Sequence, residues 1–536
     1  MKIRNNGNRT IIERMTAMKK LFIGIALAAA TTLAAAPKVL VYMLDGARAD
    51  VMEATDTPAW KMLKENRWAD GYRTAWSVTA VNEPFVLPGS AANHTTISTG
   101  KFAKNHKVLD KRGVFFAPFS QSATPTVLER IGRKHPLAIC TLQAFSWRPD
   151  VGLLPKSGRW SAICVSDAVN NVLLVELLKR PDAPSALIVF DDAPDAGGHS
   201  KGFYPHSPQY RERVDAAMAR FGNLLETIKA RSTFADEDWL IVLCSDHGGI
   251  GTRHNLSGGQ CNTVPLLYCG KNIPAGVISG RPGNIGIAAN VLRHMGLENE
   301  VAELDDDGKF TAAPPAEARP TSEGLLYDVS VADGRIVNRA AGGSVTAHGT
   351  LTVGADSFSN APGGYLTLDG LKNFAGKKFT VSITLKCDLG KISGDPAVFT
   401  NKNWQNGANP GFAITARRGA FRFNSARTKG PVDYVLTSPR RMDLYDILPE
   451  TPDERHLIAV SVDSDGQVIV FQKSAQGTQY WFTVDGRSVN PVSGLDWNVG
   501  QDATGNYKHR AIVDVSGVRV WDRALTLDEL RKLDLE

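Results

Sequence analysis

Five short apolar segments constrain the fold of this chain more than any other feature. They read KVLVYMLD (38–45), LAICTL (137–142), ALIVFDD (186–192), DWLIVLCSD (238–246) and VPLLYCG (264–270), with helical patterns between them. Strands that are apolar throughout are buried on both faces, which is typical of parallel sheets covered by helices. The sequence therefore predicts an α/β fold with a mostly parallel sheet flanked by helices.

Two helices have clear start signals. Ser207 and Pro208 form a cap and first-turn pair before YRERVDAAMARFGNLLETIKA. Near the end of the sequence, Thr526 and Glu529 have capping-box spacing. The first signal predicts a long helix of the α/β region, and the second predicts a short final helix.

The proline-rich segment 311–324, TAAPPAEARPTSEG, separates two regions of different texture. Beyond it, short alternating stretches such as KFTVSITLKC are separated by Gly, Asp and Asn turns. This pattern is typical of an antiparallel β-sandwich. We therefore expect an α/β domain at 37–310, a linker at 311–324 and a sandwich at 325–536.

The start of the chain has the pattern of a secretory signal peptide. Lys19 and Lys20 precede LFIGIALAAATTLAAAP, an apolar run that ends in small residues. We expect a signal peptide over 1–36, with cleavage near residues 34–36. Because no other segment reaches the roughly 18 apolar residues of a membrane span, the sequence predicts an exported protein, periplasmic or extracellular, without a span after signal cleavage.

Charge and cysteine content exclude some classes of protein. The net charge of +6 has no dominant basic block, so no nucleic-acid platform is predicted. Six scattered cysteines form no dense disulfide framework. Cys140, Cys164 and Cys244 lie in apolar runs and are expected to be buried thiols. A pairing of Cys261 with Cys269 stays open.

Aspartate and histidine residues follow the ends of three apolar segments. In an open α/β sheet, ligands gather at the carboxyl ends of the strands. A lone Asp there is usually a cap or turn former, and a lone His is usually hydrogen-bonded. Their joint occurrence predicts one rim of acids and imidazoles, sufficient for two metal ions with three protein ligands each and open coordination sites. The strand-end residues are Asp45, Asp191, Asp192, Asp195, His199, Asp246, His247 and His254.

A nucleophile for such a site is offered by LPGSAANHTTISTG (87–100). Two metal ions about 4 Å apart stabilise the attacking and leaving oxygens of phosphoryl transfer. Bound to a metal, the Ser90 hydroxyl can ionise near neutral pH, and Asn93 can donate its amide to a phosphoryl oxygen. Ser90 can also be a helix N-cap, which is compatible with catalysis because a helix N-terminus favours anions. We interpret His94 as structural.

Five motifs in order resemble the alkaline phosphatase superfamily, and within it the type I phosphodiesterases and nucleotide pyrophosphatases. They are Asp45, SAANHTTISTGKFAKNHKV, APDAGGH, SDHGG and RH, within about residues 38–300. The resemblance implies attack by Ser90, a covalent phospho-enzyme and hydrolysis by a metal-activated water, with Asn93 helping to bind the phosphoryl group. It also implies two zinc sites, one formed by Asp45, Asp246, His247 and Ser90, the other by Asp195, His199 and His254.

Departures from the family pattern leave the substrate open. Ala91 stands where nucleotide-cleaving members can carry an aromatic residue, and a stacking contact is worth roughly 1–3 kcal/mol. Ser90 also lacks the C/S-x-P-x-R setting of sulfatases. A phosphomonoesterase would use the same metals and nucleophile, with Lys101 or Lys104 near the phosphate or simply solvated. A phosphodiesterase is favoured, and divalent ions other than zinc also suit Asp and His ligands.

The C-terminal region resembles a laminin G-like or concanavalin-like jelly roll, through GYLTLDG and VSGVRVWDRALTLDEL. The resemblance implies a glycan as a partner, by analogy of fold. Four tryptophans could form a sugar platform or belong to the core: Trp404, Trp481, Trp497 and Trp521. A catalytically inactive glycan-binding protein is the alternative class, but the complete set of ligands, hydroxyl and amide favours an active hydrolase.

Overall fold

The structure is a computed structural model that describes most of the chain beyond residue 34. The predicted signal sequence at 1–34 lies outside the described residues, and the first strand begins at Ala36. In the described part, no helix is both long and apolar enough to cross a membrane. The described residues are 35–55, 57–82, 88–109, 124–134, 140–157, 159–254, 259–361, 363–372, 374, 376–417, 419–426, 442–447 and 454–535.

The first sheet is mixed, and most of its central strands run parallel. Its strands are β1 (Ala36–Leu44), β2 (Arg73–Val81), β3 (Cys140–Phe145), β4 (Arg159–Cys164), β5 (Ala186–Asp191), β6 (Glu237–Ser245), β7 (Thr263–Gly270), β8 (Gly276–Ile278) and β9 (Ala312–Ala313). Their spatial order is β4, β3, β5, β1, β6, β7, β2, β8, β9. Strand β1 is parallel to β5 and β6, whereas β7 is antiparallel to β6 and β2.

Helices cover this sheet on both faces. They are α1 (Ala49–Thr55), α2 (Pro58–Lys64), α3 (Ser90–Thr99), α4 (Ala103–His106), α5 (Val127–Lys134), α6 (Asp167–Leu178), α7 (Ala193–Lys201), α8 (Pro208–Lys229), α9 (Gly259–Asn262), α10 (Ile287–His294) and α11 (Glu298–Val301). Alternate residues of β1 enter two different apolar clusters, Tyr42 packing with α8 and Val41 with α5 and α10. The α/β fold class is therefore observed as predicted.

The long helix α8 begins at the predicted signal. Ser207 is its N-cap residue in extended conformation, and Pro208 occupies the first turn. Its buried residues include Tyr210 and Phe221, which lie on the face that packs against the sheet. The apolar spacing along the helix thus becomes one side of the core.

Two antiparallel sheets follow. One contains β10 (Leu325–Ala332), β11 (Arg335–Asn338), β13 (Thr352–Val353), β14 (Phe358–Ser359), β16 (Lys378–Lys386), β21 (His456–Asp463), β22 (Gln467–Ser474), β23 (Gln479–Asp485) and β25 (Asp514–Trp521). The other contains β12 (Val345–His348), β15 (Tyr365–Leu368), β17 (Ala397–Thr400), β18 (Phe412–Arg417), β19 (Ala420–Ser425), β20 (Met442–Ile447) and β24 (Trp497–Val499). The predicted antiparallel sandwich is observed. A final helix, α12 (Leu527–Arg531), starts with the predicted capping box of Thr526 and Glu529.

The four candidate platform tryptophans are buried. Trp404, Trp481, Trp497 and Trp521 expose between 0% and 7% of their surface, so none of these rings presents a face for a sugar. Trp481 belongs to the cluster that joins the sandwich to the first sheet, and its indole donates to Val78 O at 3.5 Å. These rings therefore serve packing.

Some finer expectations differ from the structure. Ala312–Ala313, inside the predicted linker, form β9 and pair with β8. Cys164 is exposed rather than buried, because β4 is the edge strand of its sheet. Cys244 is buried as expected, and Cys261 and Cys269 are free buried thiols rather than a disulfide. The side chain of Cys140 lies outside the described part, and the domain boundaries stay predictions.

Candidate metal centre and nucleophile

Three neighbouring strands bring the candidate ligands to one edge of the first sheet. Strand β1 lies between β5 and β6 and is parallel to both, so their carboxyl ends are adjacent. Asp45 follows β1, and Asp246 and His247 follow β6. Helix α7, which follows β5, carries Asp195 and His199. The parallel topology thus explains how distant parts of the sequence meet.

The first ligand group consists of Asp45, Asp246 and His247, whose ligand atoms lie within 4.8 Å of one another. Nε2 of His247 is 3.3 Å from Oδ1 of Asp45 and 3.4 Å from Oδ2 of Asp246. Oδ1 of Asp246 accepts hydrogen bonds from the backbone N–H groups of Gly46 and His247, at 3.0 and 2.9 Å. Oδ2 of Asp246 is therefore the oxygen left to face the group.

The second ligand group contains Asp195, His247 and His254, also within 4.8 Å. Nε2 of His254 is 3.7 Å from Oδ1 of Asp195 and 3.1 Å from Nε2 of His199. Nε2 of His199 is 3.3 Å from Oδ2 of Asp195. The structure thus brings all six sequence-predicted ligands together, with His247 between the two groups.

The histidines of the two groups are oriented by backbone carbonyls. Nδ1 of His199, His247 and His254 lies 2.8, 2.8 and 3.2 Å from the carbonyl oxygens of Thr252, Gly248 and Pro88. A proton on each Nδ1 leaves Nε2 as an acceptor, which is the tautomer that binds metals. All three Nε2 atoms point toward the carboxylates.

The donor set fits divalent metal ions. Asp45 and Asp246 are buried, and Oδ1 of Asp195 and Oδ2 of Asp246 are buried without a hydrogen-bond partner in the described part of the chain. Charged oxygens buried in this way are costly unless a cation neutralises them. Carboxylate oxygens and imidazole nitrogens suit zinc and related divalent ions.

The electrostatics of the cluster reflect this crowding of carboxylates. Burial and the charges of Asp246 and Asp195 raise the pKa of Asp45 well above its usual range. The hydrogen bond to Asp195 raises the pKa of His199 to about 9. Burial and the neighbouring His247 lower the pKa of His254 to about 4. The carboxylates thus compete for few positive charges, which a bound cation would supply.

Ser90 is the first residue of α3, and Gly89 is the N-cap residue. The N-cap interpretation of Ser90 is therefore wrong by one position. Its Oγ is 3.4 Å from Oδ1 of Asp45 and 3.3 Å from Nε2 of His247. Asn93 lies in the same turn, and its amide donates to Gly89 O at 3.1 Å. The hydroxyl and the amide both lie at the helix end that meets the first ligand group.

The sequence analysis missed His94. Its ring is fully buried, with Nδ1 2.8 Å from Oδ1 of Asp150 and Nε2 3.3 Å from carboxylate oxygens of both Asp45 and Asp246. Burial opposes its charge, but Asp150 raises the pKa of His94 well above its usual value. Its i, i+4 spacing from Ser90, which puts both on one helix face, is the signal that could have found it.

A buried arginine holds the loops around the site, which sequence reasoning also missed. Arg48 donates to Asp50 Oδ1 at 2.9 Å, to Phe203 O at 2.8 Å and to Gly249 O at 3.2 Å. It therefore links the segments that follow β1, α7 and β6. Tyr210 adds a hydrogen bond from its hydroxyl to Gly46 O at 2.6 Å.

Other polar residues considered from the sequence have different partners. Asp191 accepts hydrogen bonds from Arg220 at 2.7 and 2.8 Å and from Tyr42 at 2.6 Å, and so has a structural role. Lys101 donates to Asp305 at 3.1 Å. The ammonium of Lys104 lies 5.5 Å from the ring centre of Phe102.

Comparisons with known proteins give only distant likenesses. No protein-family model matches the chain, and no curated protein matches it. Among solved structures, an inactive form of murine ectonucleotide pyrophosphatase/phosphodiesterase 5 in complex with AMP has a TM-score of 0.32 and 20% identity, over 40% of this chain and 57% of the murine chain. The alignment thus spans less than two thirds of that relative.

Two other similar structures carry sugar-related or receptor-binding names. Ps i-CgsB in complex with k-i-k-neocarrahexaose has a TM-score of 0.36 and 15% identity, over 51% of this chain and 75% of that chain. The binding domain of botulinum neurotoxin serotype D has a TM-score of 0.29 and 9% identity, over 39% and 51% of the two chains. Likenesses of this degree assign no function, which must be argued from the residues of the site.

Proposed function

We propose that this chain is an exported two-metal hydrolase of phosphate esters that acts through Ser90, and that phosphodiesters are its preferred substrates. The observation that carries the proposal is the position of Ser90 Oγ, within 3.4 Å of Asp45 Oδ1 and 3.3 Å of His247 Nε2. A hydroxyl beside two candidate metal ligands is where an activated nucleophile is needed.

Zinc is the ion that we propose for both groups. Asp45, Asp246 and His247 would hold one ion, and Asp195, His199 and His254 would hold the other. When bound, the ions would neutralise phosphoryl oxygens and make the Ser90 hydroxyl easier to ionise.

The chain's own groups supply the remaining chemistry. Ser90 Oγ attacks phosphorus, the bond to the leaving group breaks, and water then cleaves the phosphoserine and restores the hydroxyl. Helix α3 is ten residues long and presents its N-terminal N–H groups at this end, which favours the anionic phosphoryl oxygens. Asn93 offers an amide donor one turn from Ser90.

The choice of diester over monoester rests on charge. A phosphate monoester carries more negative charge than a diester and benefits from additional cationic partners. Lys101, one of the two lysines that could supply one, is paired with Asp305. The described residues beside Ser90 are instead carboxylates and histidines, which favours the less charged substrate.

The test is the initial rate of the zinc-loaded mature protein on three nitrophenyl esters: a phosphodiester, a phosphomonoester and a sulfate. We expect the highest rate on the diester, and its loss in Ser90→Ala. A monoester or sulfate preference would change the class of the enzyme while keeping the site. No turnover of any ester would favour the alternative, a catalytically inactive binding protein.

Export is part of the proposal and has its own test. The apolar run 21–36 supports it, and expression with and without residues 1–36 would show whether the chain crosses the inner membrane. Recovery of the full-length product in the periplasm or medium, shortened near residues 34–36, is the expected result. Retention of an unshortened chain in the cytoplasm would contradict it.

A further inference from the structure

We propose that His94 is a positioning residue that fixes the Asp45 and Asp246 carboxylates for the metal ion beside Ser90. The inference rests on the proposed metal site, but it concerns the protein's affinity for the ion and can be tested without any substrate. It begins from one atom, Nε2 of His94, which is fully buried and makes no hydrogen bond in the described part of the chain.

The ring of His94 has little freedom to turn. It stacks on Phe190, with ring centres 4.7 Å apart and planes 18° from parallel, and Trp147 contacts it edge-on at 5.6 Å. Nδ1 is held by Asp150 Oδ1 at 2.8 Å. Asp150 itself lies in a short 3₁₀ helix (Arg148–Leu153), and its backbone carbonyl accepts a hydrogen bond from Gln143 at 3.1 Å. The direction of Nε2 is therefore set by packing.

That direction is toward both carboxylates at once. Nε2 lies 3.3 Å from Oδ2 of Asp45 and 3.3 Å from Oδ2 of Asp246. Asp45 turns its other oxygen, Oδ1, toward Ser90 and His247. His94 thus contacts Asp45 on the oxygen that the nucleophile does not use, as expected for a group that orients a ligand.

The rest of the Asp246 environment agrees with this role. Its Oδ1 is already fixed by the N–H groups of Gly46 and His247. Oδ2 has no hydrogen-bond partner among the described residues, so His94 is the group available to restrain it. One imidazole would then couple the orientations of two ligands delivered by different strands.

The test compares zinc affinities, measured by competition with a chromophoric chelator. His94→Leu removes the nitrogen and keeps an apolar side chain, whereas His94→Gln keeps an N–H donor near the position of Nε2. We expect Leu to weaken the affinity for one of two ions by about 10 to 100-fold, and Gln to recover most of it. His294→Gln is the matched control, because His294 bonds to the carbonyls of Lys38 and Asp238 near the opposite ends of β1 and β6.

Each outcome decides the inference. Unchanged zinc affinity in His94→Leu would overturn it while leaving the proposed hydrolase intact. Equal weakening in the Leu and Gln variants would overturn it in favour of direct ligation by His94. Absence of zinc binding in the wild-type protein would overturn both proposals. Urea unfolding of the chelated variants separates these results from loss of fold, and Asp150→Asn, which leaves Nε2 present but less firmly held, should weaken zinc binding less than His94→Leu.

Discussion

Oγ of Ser90 lies 3.3 Å from Nε2 of His247, although 157 positions separate the two residues in the sequence. Because the hydroxyl is the proposed nucleophile, Ser90→Ala should lower kcat on a phosphodiester by about 10⁴-fold or more. Initial rates with zinc-loaded protein provide the measurement. Ser90→Thr keeps a hydroxyl and should recover a measurable part of the rate.

Covalent chemistry gives this prediction a second readout. Rapid quenching during turnover should trap a phosphoryl group on the peptide that contains Ser90, detectable by mass spectrometry. The zinc content of Ser90→Ala should be checked alongside. Full activity in the alanine variant would exclude Ser90 as the nucleophile.

Removal of metal should destabilise the protein, because Asp45, Asp195 and Asp246 would lose the cations that offset their burial. An ion present at a hundred times its Kd stabilises the folded state by about 2.7 kcal/mol. We expect Tm to fall with EDTA and to rise again in proportion to the logarithm of added zinc. Differential scanning fluorimetry measures this shift.

The matched variants for metal removal are two Asp→Asn substitutions. Asp246→Asn alters a candidate ligand and should reduce the zinc-dependent rise in Tm. Asp305→Asn alters a carboxylate that pairs with Lys101 and should leave that rise unchanged. The proposed ligand set is wrong if both variants respond to zinc as the wild-type protein does.

The Arg48–Asp50 pair should contribute strongly to the stability of the chelated protein. Both side chains are buried, and Arg48 also bonds to two backbone carbonyls. Arg48→Met leaves Asp50 buried and unpaired, which should lower the free energy of unfolding by about 3–5 kcal/mol. Arg67→Met removes an exposed partner of Glu65 and should cost about 1 kcal/mol or less. Urea titrations of the two variants compare them directly, and similar midpoints would contradict the prediction.

The sequence was sufficient to predict the strands that carry the candidate site. β1, β5 and β6 are apolar throughout, and such runs report burial on both faces. The same signal does not report direction, so β7 was expected among parallel strands although it is antiparallel to β6. β4 was missed because it is an exposed edge strand without a continuous apolar pattern.

The polar core around the site could not be predicted from local patterns. Every residue of α3 is buried, although the helix has no apolar face. Its Thr95 and Thr99 hydroxyls bond back to backbone carbonyls at 2.7 and 2.6 Å, which satisfies them without water. The partner of His94 is Asp150, from a separate 3₁₀ helix. Contacts of this kind depend on tertiary structure, so spacing within one motif reveals only half of the pair.

A final prediction concerns His106, which is buried beside α3 and outside the ligand groups. The backbone N–H of Val108 donates to its Nδ1 at 3.0 Å, and Nε2 lies 3.1 Å from the Thr96 hydroxyl. Protonation of Nδ1 would break the first hydrogen bond. Burial lowers the pKa of His106 to about 4, from an ordinary value of about 6.5.

The sign of the pH effect follows from proton binding. Between pH 6.5 and 4 the unfolded chain binds a proton that the folded protein refuses, so this contribution to stability is present above about pH 6.5 and is lost as the pH falls toward 4. From pH 7 to pH 5 the wild-type protein should lose about 2 kcal/mol through this residue. His106→Gln should lose that much less over the same interval. Urea titrations with EDTA at both pH values measure the difference while keeping metal release out of it, and equal losses in the two proteins would show that His106 is not the responsible group.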